Sequence, residues 1–210
     1  MHNFELLYKD DTLLVLNKPS ELLSVPGRGE ERFDSLQTRV QAVYPDALIV
    51  HRLDMSTSGI MIMARGKDAQ RNLNKAFERR DVFKKYIAVV DGMVTPSLGG
   101  IDLPLLTDWP NRPKQKVDYI LGKPSLTFYS VLSHDRRHNS TRVELRPKTG
   151  RSHQLRVHML AFGHTILGDN LYATDEVLQK ASRLQLHAEE IRFMHPATEQ
   201  RVSFISEAPF

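Results

Sequence analysis

Two short apolar runs, Leu48–Val50 and Ile60–Ala64, enclose the polar stretch His51-Arg52-Leu53-Asp54-Met55-Ser56-Thr57-Ser58-Gly59. Runs this short suit buried strands, and Met55–Gly59 between them suits a tight polar turn. A carboxylate, Asp54, therefore stands where a strand runs into a turn. Such a position exposes a side chain while a rigid element holds its backbone. Arg52 beside it favours the ionised form. Gly59 lets the backbone turn back into the next strand, and Ser56, Thr57 and Ser58 can satisfy loop amides. Taken alone, an Asp ahead of Ser, Thr and Gly is usually plain turn chemistry.

Around this unit the chain alternates strands and helices irregularly. Phe4–Tyr8 and Thr12–Leu16, split by Asp10-Asp11, read as a hairpin, and Lys18–Arg32 as a loop. Asp34 is an expected N-cap for a helix over Ser35–Val43, with Pro45 soon after. Asp68–Arg80 has helical spacing, with Leu73, Ala76 and Phe77 on one face. Lys85–Val90 reads as a strand, and the proline-rich Gly99–Pro113 as irregular chain. Thr127–Leu132 and Thr141–Leu145 form an expected hairpin. Ser152 is expected to cap a helix through Phe162 that Gly163 ends. Glu176–Ala181 reads as a further helix, and Leu184–Phe193 and Arg201–Ile205 as closing strands. Without regular βαβ alternation the pattern is α+β. No Pro-, Gly- or Ser-rich linker divides the 210 residues into independent domains.

Three further segments carry chemistry. On a helix after Gly150-Arg151-Ser152, His153, Gln154, Arg156 and His158 place polar groups beside an apolar stripe of Leu155, Met159 and Phe162. A solvated basic helix would look the same. Arg151 at the N-terminal end opposes the helix dipole, which suits a cation that meets an anion. Lys84-Lys85-Tyr86 sets an aromatic beside cations, a pattern that stacks bases or equally fills a core. Asp108-Trp109-Pro110-Asn111-Arg112-Pro113-Lys114-Gln115-Lys116 adds three cations and the only Trp, which suits RNA backbone contact or a solvated loop.

The absence of cysteine excludes thiolate metal sites and a Cys nucleophile. The nine histidines show no HExxH spacing, so a metal site is not expected. Gly27-Arg28-Gly29 follows no strand and is not expected to cradle a nucleotide. There is neither a basic-then-apolar leader nor an apolar run of about 18 residues, so a cytoplasmic protein without a membrane is expected. The net charge of +4 is a mild pointer to polyanions.

Together the segments resemble the RluA family of pseudouridine synthases. The likeness rests on His51-Arg52-Leu53-Asp54 with Thr57-Ser58-Gly59, on Lys85-Tyr86, and on Gly150-Arg151-Ser152-His153-Gln154-Leu155-Arg156-Val157-His158. Asn17-Lys18-Pro19, and Leu167-Gly168-Asp169 with Tyr172, add to it in family order. The resemblance implies a mixed, mostly antiparallel central sheet flanked by helices, with an active-site cleft across it. It implies one catalytic domain over 1–210, of two sub-lobes sharing that sheet, without the small RNA-binding domain of many relatives. Asp54 is then the catalytic carboxylate, Tyr86 a stacking aromatic, and Arg156 the partner of Asp54. Arg52 takes the place of an extruded nucleotide. The remaining expected substrate contacts are His51, Thr57, Arg112, Lys114, Lys116, Arg151, His153 and Gln154.

The segment Trp109–Lys116 is similar to members that act on two RNAs, at U32 of the tRNA anticodon stem-loop and U746 of 23S rRNA. The implied partner is RNA, tRNA and large-subunit rRNA stem-loops, met by a monomer with no cofactor and no metal. The rival activities are an N-glycosylase that releases uracil and a non-catalytic RNA-binding protein.

Overall fold

Asp10 makes the first hairpin. Its carboxylate accepts from the backbone N–H of Thr12 (2.7 Å) and Leu13 (2.8 Å) and from the Thr12 hydroxyl (3.0 Å). That local pattern is an Asx turn, and it joins β1 (Glu5–Lys9) to β2 (Leu13–Lys18). The computed structural model describes residues 4–210. After β2 come α1 (Leu36–Gln41), β3 (Ala47–Ile49), β4 (Ser58–Arg65), α2 (Lys67–Arg79), β5 (Phe83–Asp91), β6 (Leu98–Asp102), β7 (Leu105–Thr107) and β8 (Gln115–Val117). The chain closes with β9 (Leu126–Asp135), β10 (Ser140–Pro147), α3 (Gln154–Ala161), α4 (Asp175–Gln179), β11 (Leu186–Met194) and β12 (Arg201–Ile205). Two compact units result: residues up to Lys84 with Ala188–Pro209, and Lys85–His187 with Phe210.

In the first unit the strand order is β1-β2-β4-β11, with β3 on β4 and β12 on β11. β2 pairs antiparallel with β4 from Leu13↔Ala64 to Lys18↔Gly59. Ser58 through Ala64 are all buried, which matches a continuous apolar run covered on both faces. Leu13, Val15, Ile60, Ile62, Leu73, Ile191 and Phe193 form the core, and Ala76 and Phe77 of α2 pack on it. The expected helical face of Leu73, Ala76 and Phe77 is the one the helix buries.

In the second unit the order is β5-β10-β9-β6, with β7 and β8 forming a separate hairpin. The core here is Ala88, Val90, Ile101, Tyr129, Val143, Leu145, Leu155, Met159 and Ile166, among others. The pairs β5/β10, β9/β10, β6/β9, β11/β12 and β7/β8 are antiparallel, as a mostly antiparallel α+β fold requires. Among the described residues no helix is long and apolar enough to cross a membrane.

Four local expectations need correction. Ser35, not Asp34, caps α1: its hydroxyl accepts from the Thr38 N–H, and Thr38 reciprocates in a capping box. Asp34 is instead paired with Arg39 at 2.6 Å. Helix α3 begins at Gln154 behind His153, whose φ of 53° is left-handed, and no side chain, Ser152 included, caps it. It is also no solvated helix, because Gln154, Leu155, Arg156, Val157, His158 and Met159 are all buried.

The fourth correction concerns Gly99–Pro113, which holds two strands rather than irregular chain. Gly99 lies opposite Tyr129 in the β6/β9 pairing. A Cβ there would sit 2.8 Å from the Tyr129 hydroxyl and 2.9 Å from its ring. The glycine is therefore the room a cross-strand aromatic needs, not a strand breaker.

Gly59 is required more strictly. Its φ is +113°, and an added Cβ would fall 2.3 Å from the Ala188 carbonyl oxygen and 2.5 Å from its nitrogen, both backbone atoms of β11. Gly59→Ala should therefore lower unfolding stability by at least about 2 kcal/mol through combined strain and overpacking. Urea denaturation checks this, and a wild-type midpoint would show that β4 and β11 do not approach as described.

Candidate active site

Asp54 lies not at a strand end but in the irregular segment between β3, which stops at Ile49, and β4, and that segment is clamped from behind. The Ser24 hydroxyl donates to the Leu53 carbonyl at 2.6 Å and accepts from the Leu53 N–H at 3.1 Å. The Ser20 hydroxyl donates to the Ser56 carbonyl at 2.7 Å. Lys18, fully buried, donates to the carbonyls of Leu22 (2.7 Å), Pro19 (2.9 Å) and Met55 (2.9 Å). The Thr57 N–H closes the turn on the Asp54 carbonyl at 3.1 Å. The backbone is thus held on both sides of Asp54, at residues 53, 55 and 56. Leu53 is buried, Arg52 exposed and Asp54 half-buried, the alternation expected of an extended segment. Thr57 is buried within the turn. Asn17-Lys18-Pro19 entered the sequence argument only as a matching triplet. The signal that could have singled out Lys18 is a charge at the end of an apolar strand, directly before a proline.

His51 serves the same scaffold. Its Nε2 accepts the Ile62 N–H at 2.9 Å and its ring stacks on Phe77 with centroids 4.8 Å apart. Burial, with the Lys84 charge adding to it, pushes the imidazole down to about 3. Burial also pushes the Lys84 ammonium down. Both groups show the cost of carrying charge in a poorly hydrated place.

In the second unit Arg156 is the central charge. Only 3% exposed, it meets the wholly buried Asp169 through Nε to Oδ2 at 2.8 Å and Nη2 to Oδ1 at 2.5 Å. This is a planar two-point ion pair. Asp169 Oδ1 also accepts the backbone N–H groups of Leu171 (3.0 Å) and Tyr172 (3.1 Å). The guanidinium lies over the Tyr172 ring, 5.2 Å from its centroid. Sequence reasoning named only Asp54 as its partner. Asp169 was within reach as part of Leu167-Gly168-Asp169, but nothing in the residue pattern ties it to a position thirteen residues earlier.

The neighbours of Arg156 on α3 are equally engaged. Gln154 Oε1 accepts from the Thr149 hydroxyl (2.7 Å) and the Arg151 N–H (3.0 Å), and its Nε2 donates to the Leu126 carbonyl (3.1 Å) and Thr127 Oγ1 (3.0 Å). The amide's full capacity is spent inside the protein. His158 is within 3.0 Å of Thr127 Oγ1 and 3.1 Å of the Leu103 carbonyl. Burial lowers its pKa against the opposing pull of that carbonyl and Asp102. His153 Nδ1 lies 2.7 Å from the Tyr172 hydroxyl.

Tyr86 is half-buried on β5, opposite Leu145, and packs on the core. Arg151 is exposed. On the β7–β8 hairpin Arg112 stacks over the exposed Trp109 ring at 4.6 Å, Lys116 is exposed and Lys114 half-buried. Of the expected site residues, His51, Arg52, Asp54 and Thr57 therefore belong to the first unit. Tyr86, Arg112, Lys114, Lys116, Arg151, His153, Gln154 and Arg156 belong to the second. Among the described residues no group of three or more His, Asp or Glu is placed to hold a metal ion.

Comparison with known proteins gives one consistent picture. The family model described as RNA pseudouridylate synthase matches residues 12–161. The chain is 54% identical over 205 residues to the dual-specificity RNA pseudouridine synthase RluA of Escherichia coli (strain K12), covering 98% of this chain and 93% of that one. It is 55% identical over 204 residues to the protein of the same name from Yersinia pestis, covering 97% and 98%. Among solved structures, human RNA pseudouridylate synthase domain containing 1 superposes with a TM-score of 0.84 at 30% identity, covering 100% of this chain and 85% of the human one.

Two expectations follow from the geometry. Arg156→Ala or Asp169→Asn should each cost about 3–5 kcal/mol, because either leaves the other group buried without its counter-charge; a loss below about 1 kcal/mol in chemical denaturation would contradict the buried pair. His51, held near 3 against 6.5 for the free group, contributes stability that is complete above the unfolded value and lost as pH falls through that window. Wild-type stability should therefore decline between about pH 6.5 and 4, and His51→Gln should flatten that decline. Parallel slopes would show that His51 is not buried neutral.

Proposed function

The chain belongs to the RNA pseudouridylate synthase family, and from that premise we propose that it converts particular uridines to pseudouridine in two RNAs, with Asp54 as the catalytic carboxylate. The carrying observation is the clamp of Lys18, Ser20 and Ser24 around residues 53–56, which fixes the backbone of one carboxylate in the connection between β3 and β4. Isomerisation breaks the N1–C1′ bond, turns the uracil and forms C5–C1′, and the proton lost from C5 is balanced by one gained at N1. Nothing is oxidised and no group is imported. The carboxylate acts by attack on C1′, in the manner of a glycosidase nucleophile, or by taking the C2′ proton to give a glycal; both routes need it ionised.

The other roles follow on the same reading. The Nε–Nη2 edge of Arg156 is taken by Asp169, and on this reading the guanidinium so held is part of the catalytic set. Tyr86 stacks on the target base, and Arg52, exposed and two residues ahead of Asp54, fills the gap the extruded nucleotide leaves. Extrusion costs a few kcal/mol, which both contacts offset. Arg112, Lys114, Lys116 and Arg151 meet phosphates.

Both relatives carry dual specificity in their names. The near-complete coverage at over half identity favours the same pair of substrates here, the tRNA anticodon stem-loop at U32 and 23S rRNA at U746. Mapping pseudouridine in tRNA and rRNA from cells with and without the gene tests this; loss at only one site would reduce the reading to a single RNA. Asp54→Asn is nearly isosteric and should abolish turnover, by at least about a thousandfold, while stem-loop affinity stays within about threefold. Turnover within tenfold of wild type would remove Asp54 from the chemistry, and release of free uracil would identify an N-glycosylase instead.

A further inference from the structure

We propose that Tyr172 is a positioning residue that links the β7–β8 hairpin to Arg156, so that RNA seated on the hairpin sets the guanidinium for the reaction. The proposal rests on the reading of that hairpin as an RNA contact and of Arg156 as part of the active site. Tyr172 joins three elements at once. Its hydroxyl accepts the backbone N–H of Gln115, the first residue of β8, at 2.8 Å. The same hydroxyl lies 2.7 Å from His153 Nδ1 at the start of α3. Its ring lies under the Arg156 guanidinium at 5.2 Å, and its own N–H is held by the carboxylate that grips Arg156.

The directions of these bonds can be assigned. A backbone N–H only donates, so the phenol oxygen accepts from Gln115. On this proposal the phenol gives its one proton to His153 Nδ1, 2.7 Å away, which places the His153 proton on Nε2. A chain of two hydrogen bonds thus runs from the hairpin backbone through the phenol to His153. The phenol ring at its centre bears on Arg156.

Gln115 sits between Lys114 and Lys116, and its side chain is itself tied to Thr107 Oγ1 at 3.1 Å and the Pro113 carbonyl at 3.1 Å. The hairpin therefore moves as a piece. A shift on RNA contact at Arg112 or Lys116 reaches the Gln115 N–H, and through it the ring. His153 keeps a left-handed φ of 53°, a conformation that non-glycine residues seldom adopt. A bond from the Tyr172 hydroxyl to its ring helps to hold it there.

The experiment is a two-residue cycle with single-turnover kinetics on an anticodon stem-loop transcript. Tyr172→Phe keeps the ring under Arg156 and removes only the hydroxyl. Arg112→Ala should weaken stem-loop binding in both backgrounds. In the wild-type background it should also lower the rate at saturating RNA, by about threefold or more. In the Tyr172→Phe background the saturated rate, already reduced, should no longer respond to Arg112→Ala. Equal rate factors in both backgrounds, with binding still weakened, would overturn the link while leaving the hairpin an RNA contact. If Arg112→Ala and Lys116→Ala change neither binding nor rate, the reading of the hairpin fails and the link with it. Should Tyr172→Phe not fold, His153→Gly takes its place, since it deletes the acceptor and tolerates the positive φ. Nitrogen-15 NMR of histidine-labelled protein gives a readout apart from activity: His153 should carry its proton on Nε2, and a protonated Nδ1 in the free protein at neutral pH would overturn the assignment.

Discussion

The second unit is organised around one buried ion pair. Arg156 and Asp169 are both almost wholly out of water, and neither charge is tolerable there without the other. Their mutual grip fixes more than themselves. The carboxylate also holds the N–H groups of Leu171 and Tyr172, which sets the turn after the pair and brings the Tyr172 ring under the guanidinium. Tyr172 in turn reaches the hairpin backbone and His153. Replacing the pair by apolar residues of the same volume could leave the fold as stable. It would leave nothing to orient a guanidinium, so the pair is better understood as a device for geometry than for stability.

The first unit holds its own backbone through hydrogen bonds to carbonyls. Lys18 spends its ammonium protons on three backbone carbonyls, two in the loop that follows β2 and one directly after Asp54. Serines 20 and 24 take two more carbonyls of the same stretch. Charge-assisted hydrogen bonds to carbonyls are strong and directional, and here they stiffen a loop whose amino acids would otherwise leave it mobile. Under the role proposed for Asp54 such rigidity matters, because small misplacements of a reacting group weaken catalysis by orders of magnitude.

The legible parts of the fold were those with a periodic or punctuated signal. Short apolar runs marked β1, β2, β4 and β5, helical spacing marked α2, and the Asp10 turn was visible in Asp10-Asp11. The motif residues were named by resemblance; Tyr86 lies within β5 and Arg156 in the first turn of α3, whereas Asp54 lies beyond the end of β3, in the connection to β4. Other features had no local signal. Gly99-Gly100 reads as a break unless one knows that Tyr129 faces it across the strand pair. His153 in place of Ser152 at the head of α3 depends on a left-handed backbone turn that propensity disfavours. The pairing of Arg156 with Asp169, and of Lys18 with Met55, joins residues far apart in sequence, and a residue type alone does not reveal which distant group satisfies it.

The same reasoning explains why polar motif residues outnumber the groups that can touch substrate. A polar residue in a buried segment must find partners within the protein, since water is not there to supply them. Gln154 and His51 meet that demand completely enough to act as scaffold: one uses all four of its amide positions, the other is held neutral with its ring on Phe77. Arg52 and Arg151 are exposed and carry no such obligation. The split follows from burial, because the chemical identity of His, Gln and Arg is compatible with either use. Residues that a motif groups together therefore separate, once their surroundings are known, into those that hold the frame and those whose side chains stay at the surface.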